Sequence, residues 1–182
     1  MFENRFVITL FGSGKTEPGS ADYRLAYETG KAIAGAGFTL CNGGYYGTME
    51  ASARGAKDAA GKTIGIVTEF FSPQANPYID NKIILKTLNE RLLRLIETGD
   101  AYVILRGGTG TLVELATVWE YTNKSILREK PIIAIGNFWS EVIQPIARQL
   151  REEGSPLAAG AVTIASSPED CVRILKEHLK KK

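Results

Sequence analysis

Short apolar runs alternate along this chain with longer stretches of helical periodicity. Residues 6–11 read as a buried strand. Residues 20–36 read as a helix with Leu25, Thr29 and Ile33 on one face and Gly37 as its stop. The alternation continues with strands over 38–41, 63–67, 101–105, 131–135 and 162–165. Helices fall over 46–60, 88–98, 111–124 and 139–153. Pro73, Asn76 and Pro77 make 68–82 an irregular loop. Ser167-Pro168-Glu169-Asp170 opens a last helix with a cap residue, proline at the first helical position and an acid at the capping-box position. The strands lack clean alternation of apolar and polar residues and are separated by helices. That pattern predicts a doubly wound, Rossmann-like α/β domain whose parallel sheet is covered on both faces. No repeat, linker or break divides residues 1–182.

Composition narrows the class. With 182 residues, 44% hydrophobic and 23% charged, the chain can build one full core. A formal charge of +2 without a long basic block gives no sign of nucleic-acid binding. The Lys180-Lys181-Lys182 run reads as a solvated helix end. No apolar run approaches a membrane span and the start carries no secretory pattern, so a cytoplasmic protein is expected. Cys41 and Cys171 lack the spacing of a zinc site or a disulfide framework and read as two half-buried thiols. No metal or other cofactor is expected. His178 sits in a charged tail and reads as solvated, which leaves triad chemistry without a histidine.

Candidate chemistry gathers at strand ends. Gly12-Ser13-Gly14 follows the first strand, Gly43-Gly44-Tyr45-Tyr46-Gly47-Thr48 the second, and Gly107-Gly108-Thr109-Gly110-Thr111 the fourth. In an open parallel sheet, ligands bind beyond the carboxyl ends of the strands near a topological switch point. Backbone amides without Cβ atoms can converge there on an anion, and a helix N-terminus adds its positive dipole end. Each cluster alone is equally well a tight turn; three together favour a phosphate site. Gly14-Lys15-Thr16 is not a P-loop, because Thr9 stands where that motif needs glycine. Nor does Gly12-Ser13-Gly14 complete a dinucleotide fingerprint. Glu114 is the key carboxylate, although Thr111-Leu112-Val113-Glu114 also has the form of a capping box, and taken alone the cap is the simpler reading. Arg91 and Arg106 are candidate anion contacts, and the bland reading of Arg91 is a surface arginine.

Arg106-Gly-Gly-Thr-Gly-Thr-Leu-Val-Glu114 resembles the PGGxGTxxE motif of the LONELY GUY-type phosphoribohydrolases, a family long labelled as lysine decarboxylases. Gly12-Ser13, the segment from Asn42 to Glu50, and Asn89-Glu90-Arg91 resemble its other motifs, so the likeness covers nearly the whole chain. The resemblance implies a Rossmann-like fold, a homodimer or higher homo-oligomer, and hydrolysis of a nucleoside 5′-monophosphate to free base and ribose 5-phosphate, as in cytokinin activation. It implies that Glu114 and Arg91 are catalytic and that Gly107, Gly108, Gly110 and Thr111 hold the 5′-phosphate. Arg106 replaces the motif's proline, and Leu92 replaces the lysine after the arginine. Met49-Glu50 and the 76–80 segment are similar to a divergent branch that includes molybdenum cofactor carriers. Non-catalytic carriage of a phosphorylated pterin or a nucleotide therefore stands as the alternative.

Overall fold

The computed structural model describes residues 6–127 and 130–179; the expected solvated run Lys180-Lys181-Lys182 lies outside them. Seven strands, β1 (Val7–Phe11), β2 (Thr39–Asn42), β3 (Thr63–Thr68), β4 (Asn81–Leu85), β5 (Ala101–Ile104), β6 (Ile132–Ile135) and β7 (Val162–Ala165), form one sheet in the order β4-β3-β2-β1-β5-β6-β7. Every neighbouring pair is parallel. The chain winds outward from β1 to one edge, then returns to the other side of β1 and winds out again. The switch point lies between β1 and β5, where Ile8 pairs with Ala101 and Phe11 with Ile104. The doubly wound α/β fold expected from the periodicity is the fold observed.

Alternation along β1 splits the core. Ile8 and Leu10 face a cluster with Tyr23, Ala26 and Ile33 of helix α1 (Ala21–Gly35), Ala51 and Ala56 of α2 (Thr48–Asp58), and Cys171, Ile174 and Leu175 of α7 (Pro168–His178). Phe11 faces a second cluster with Leu95 and Ile96 of α3 (Leu88–Thr98), Leu115, Val118 and Trp119 of α4 (Thr109–Asn123), Ile143 and Ala147 of α5 (Ser140–Glu152), and Ala159 of the single turn α6 (Pro156–Ala159). Each face is sealed by helices, which explains the apolar strand runs without alternation.

Four expectations are corrected. The 68–82 loop gives way to strand β4 at Asn81. As the sheet's edge, β4 exposes every second side chain, and Lys82 and Asn81 break the apolar run that marks the inner strands. The fourth helix begins at Thr109, two residues early, with Gly108 as its N-cap and no side-chain capping bond. Glu114 is therefore the sixth residue of α4 and serves no capping box. Cys41 and Cys171 are fully buried, not half-buried, and burial pushes both thiols up to about 12. The 46–60 helix starts at Thr48, leaving Tyr46 in a turn.

Other ends follow local chemistry. The Ser20 hydroxyl caps α1 by accepting from Tyr23 N–H, and Gly37 follows the helix with φ +89°. Ser167 caps α7 through Asp170 N–H, while the Asp170 carboxylate reaches one residue beyond the cap, to Ser166 N–H at 2.9 Å.

Candidate functional site

The three glycine clusters meet at the carboxyl end of the sheet, around the switch point. The loop after β1 is pinned to the loop after β5 by Ser13 N–H donating to the Arg106 carbonyl at 3.2 Å. It is pinned to the start of α2 by Thr48 N–H donating to the Ser13 carbonyl at 2.9 Å. The Thr16 and Thr48 hydroxyls share a hydrogen bond at 3.1 Å. Most of these glycines have packing reasons. A Cβ at Gly12 would strike the Thr48 side chain, and one at Gly107 the Thr111 side chain. Gly47, at φ +65°, lies against the Ser13 and Gly14 backbone.

Gly108 and Gly110 differ from these. A Cβ at either would meet nothing, and neither has a positive φ. Packing does not require glycine there, and glycine inside the first turn of α4 costs about 1 kcal/mol against alanine. What the two glycines do is leave the amides at the N-terminus of α4 open. Thr109 is exposed at the helix start, whereas Thr111 is buried. Beside this opening lies a cavity of about 400 Å³ lined by Ser13, Lys15, Thr16, Asp22, Arg106, Gly107 and Phe138. The Arg106 guanidinium lies over the Phe138 ring at 5.0 Å and faces Asp22 at 3.8 Å, with both charged side chains largely exposed.

Arg91 and Glu114 stand on the other flank. The fourth residue of α3, Arg91 reaches across the ends of β2 and β3. Its Nε donates to the Ile66 carbonyl at 2.8 Å and its Nη2 to the Gly43 carbonyl at 3.1 Å. The guanidinium lies over the Tyr45 ring at 5.4 Å. A side chain at position 43 would collide with it. Burial holds the Arg91 charge below its ordinary range, and Glu114 opposes that shift. Glu114 retains a little solvent access but accepts no hydrogen bond among the described residues. Loss of hydration pushes its carboxyl from 4.5 to about 7, with Arg91 acting in the opposite direction. An arginine held by carbonyls thus acts electrostatically on a carboxyl pushed up to about 7, and perturbed groups of this kind cluster at functional sites.

Several residues that hold this arrangement escaped the sequence reading. Buried Asn42 donates to the Met49 carbonyl and accepts from Gly44 N–H, folding the second glycine loop around itself. Asn76, in the irregular loop, is also buried; its amide donates to the Gly44 and Tyr45 carbonyls at 3.1 and 2.7 Å. The one signal was asparagine before proline at 76–77. Thr87 and Glu90 form the capping box that aims α3, hence Arg91. Among the described residues, no group of three or more His, Cys, Asp or Glu is placed to hold a metal ion. His178, the last residue of α7, is exposed and far along the chain from these loops.

A sequence profile described as the SLOG cluster4 family matches residues 5–172. The chain belongs to that family. A SLOG cluster4 membership agrees with the LOG-type motif at 106–114. One relative, the cytokinin riboside 5′-monophosphate phosphoribohydrolase of Mycobacterium tuberculosis, is 32% identical over 158 residues, covering 82% of each chain. Among solved structures, this SLOG cluster4 chain is similar to the molybdenum cofactor binding protein of Rippkaea orientalis. The TM-score is 0.75 and the identity 29%, over 97% of this chain and 98% of that one. It is also similar to the molybdenum cofactor carrier protein of Chlamydomonas reinhardtii, with TM-score 0.70 and 26% identity over 95% and 97%.

Proposed function

We propose that the chain hydrolyses the N-glycosidic bond of a nucleoside 5′-monophosphate, releasing free base and ribose 5-phosphate. One observation carries the reading: the Glu114 carboxyl, raised to about 7, lies within the electrostatic reach of Arg91 on the helix that opens at Gly108. The open start of α4 at Gly108 to Gly110, with Thr111 behind it, suits the 5′-phosphate, with Ser13 and Arg106 beside it. Gly12, Gly43, Gly44, Gly47 and Thr48 shape the floor by packing. Cleavage breaks the C1′–N bond as the sugar gains oxocarbenium character; water supplies hydroxide to C1′ and a proton to the departing base. Near neutral pH, Glu114 exists in both forms. The carboxylate stabilises the cationic sugar or takes the water's proton, and the acid returns a proton to the base. Arg91, tied to two carbonyls, biases that equilibrium without swinging away. The M. tuberculosis relative's activity agrees with this assignment.

A second reading is carriage of a phosphorylated ligand without turnover. It draws on the two molybdenum cofactor proteins and on Leu92, a partly buried residue packed on the core where the enzymes it resembles carry lysine. Incubation with a panel of nucleoside 5′-monophosphates, assayed for free base, separates the two. Release from at least one supports hydrolysis, and release from none replaces it with carriage. We also propose a homodimer. Leu112 and Val113 leave α4 exposed at 38% and 52%, beyond the part of the helix that packs on the sheet. A monomer mass by light scattering at micromolar concentration would overturn the dimer.

A further inference from the structure

The turn after β3 carries two phenylalanines in water at the same sheet end as the site. Phe70 and Phe71 are 68% and 62% exposed, with ring centroids 5.2 Å apart and edge to face. Phenylalanine is usually buried, and here a hydrogen-bonded turn presents the pair to solvent. The Tyr45 hydroxyl accepts from Thr68 N–H at 2.8 Å and faces the Ser72 carbonyl as donor at 2.9 Å. The Thr68 hydroxyl accepts from Phe70 N–H and donates to the Lys86 carbonyl. Ser72 N–H closes the turn on the Thr68 carbonyl at 3.0 Å, and Glu69 N–H donates to the Leu85 carbonyl.

The rings also continue the site. Phe71 meets the Tyr45 ring edge to face at 6.0 Å, and the Arg91 guanidinium lies over that same ring. A continuous series of ring contacts therefore runs from Phe70 through Phe71 and Tyr45 to Arg91. The open amides follow β5 and the phenylalanines follow β3, three interstrand steps away in the order β3-β2-β1-β5, or about 14 Å. That separation between backbones is of the scale that a small molecule with a phosphate at one end and a planar ring at the other can bridge between side chains. We propose that Phe70 and Phe71, backed by Tyr45, are the surface on which the planar heterocycle of the phosphorylated ligand stacks. They would set the preference for an aromatic base over a bare sugar phosphate. This rests on the phosphate reading of the α4 N-terminus given above.

The test is calorimetric titration of the wild type and of F70A/F71A with adenosine 5′-monophosphate and with ribose 5-phosphate. The wild type should bind the nucleotide more tightly. In the double variant, nucleotide affinity should fall by about 5-fold to over 100-fold, the range that loss of base stacking produces, while ribose 5-phosphate affinity stays within twofold. Phe71→Trp should retain nucleotide affinity. Both side chains lie in water, so melting temperature confirms that the variants are folded. Unchanged nucleotide affinity in the double variant overturns the proposal, as does equal wild-type affinity for the two probes. Loss of a dimer by light scattering with nucleotide affinity intact also overturns it and assigns the rings to a second copy of the chain. A wild type that binds neither probe removes the phosphate reading first, and this inference with it.

Discussion

Two arginines flank the glycine loops, and each lies over an aromatic ring: Arg91 over Tyr45 at 5.4 Å and Arg106 over Phe138 at 5.0 Å. Their surroundings differ. Arg106 stands mostly in water, faces Asp22 at 3.8 Å, and gives no hydrogen bond from its guanidinium to a backbone carbonyl among the described residues. Arg91 is sunk between α3 and the sheet, gives two hydrogen bonds to backbone carbonyls, and exchanges charge effects with Glu114. Water screens the first charge heavily and the second weakly. The same side chain on the same kind of ring is therefore a tether for a passing anion on one flank and a fixed field on the other. Only the buried flank can tune a carboxyl.

The comparison can be broken at several points, beginning with what the flanks share. Gly108→Val should abolish nucleotide binding in calorimetry while leaving the melting temperature almost unchanged, because a Cβ at that position has open space around it. Retained binding would move the phosphate elsewhere. Glu114→Gln should lower release of free base by roughly a hundredfold or more, as removal of one electrostatic stabiliser does, and should keep or tighten phosphate binding. Activity equal to wild type would remove Glu114 from the chemistry.

The same residue gives a pH signature. Its folded-state carboxyl titrates near 7 against an ordinary 4.5, so the folded protein holds the proton more tightly. This contribution to stability is fully present below pH 4.5 and is lost as pH rises through about 7. It amounts to about 3 kcal/mol at about 1.4 kcal/mol per unit. Urea unfolding across that window should show the slope in the wild type and a flatter line in Glu114→Gln; parallel profiles would place the carboxyl in water. Arg91→Lys retains charge but cannot span both carbonyls with a planar fork. It should cost about 1–3 kcal/mol in urea unfolding, the range for a buried polar group left unpaired, and it should lower turnover as well. Arg106→Ala should have the smallest effect. A few-fold loss of nucleotide affinity that fades with added salt is expected, with stability within about 0.5 kcal/mol of wild type.

Much of the fold could be read from periodicity because burial on both faces gives each inner strand an uninterrupted apolar run. Strand β4 escaped because an edge strand is wet on alternate residues, and its Lys82 resembles a loop residue. The glycine loops were legible as a group, since three clusters fell after three strands. Taken alone, Glu114 read as a cap because a threonine three residues upstream mimics a capping box; that reading fell when Gly108, not Thr111, took the cap position. The roles of Tyr45 and Asn76 could not be read from spacing. Each bonds to backbone brought near by the fold, Asn76 to carbonyls 31 and 32 residues away and Tyr45 to Thr68, 23 residues on.

The place of β1 in the sheet has a kinetic consequence. It is made before either of its sheet neighbours, and the second of them, β5, pairs with it 93 residues later at Ile8–Ala101. At ordinary rates of synthesis, about 5–20 residues per second, the strand waits roughly 5–20 s with one edge unpaired. Ile8 and Leu10 meet α1 and α2 during that interval, but Phe11 must wait for Tyr102 and the helices of the second half. A ribosome pausing before residue 101 would hold out a half-built sheet with an open apolar margin, the form in which this chain is most exposed to aggregation.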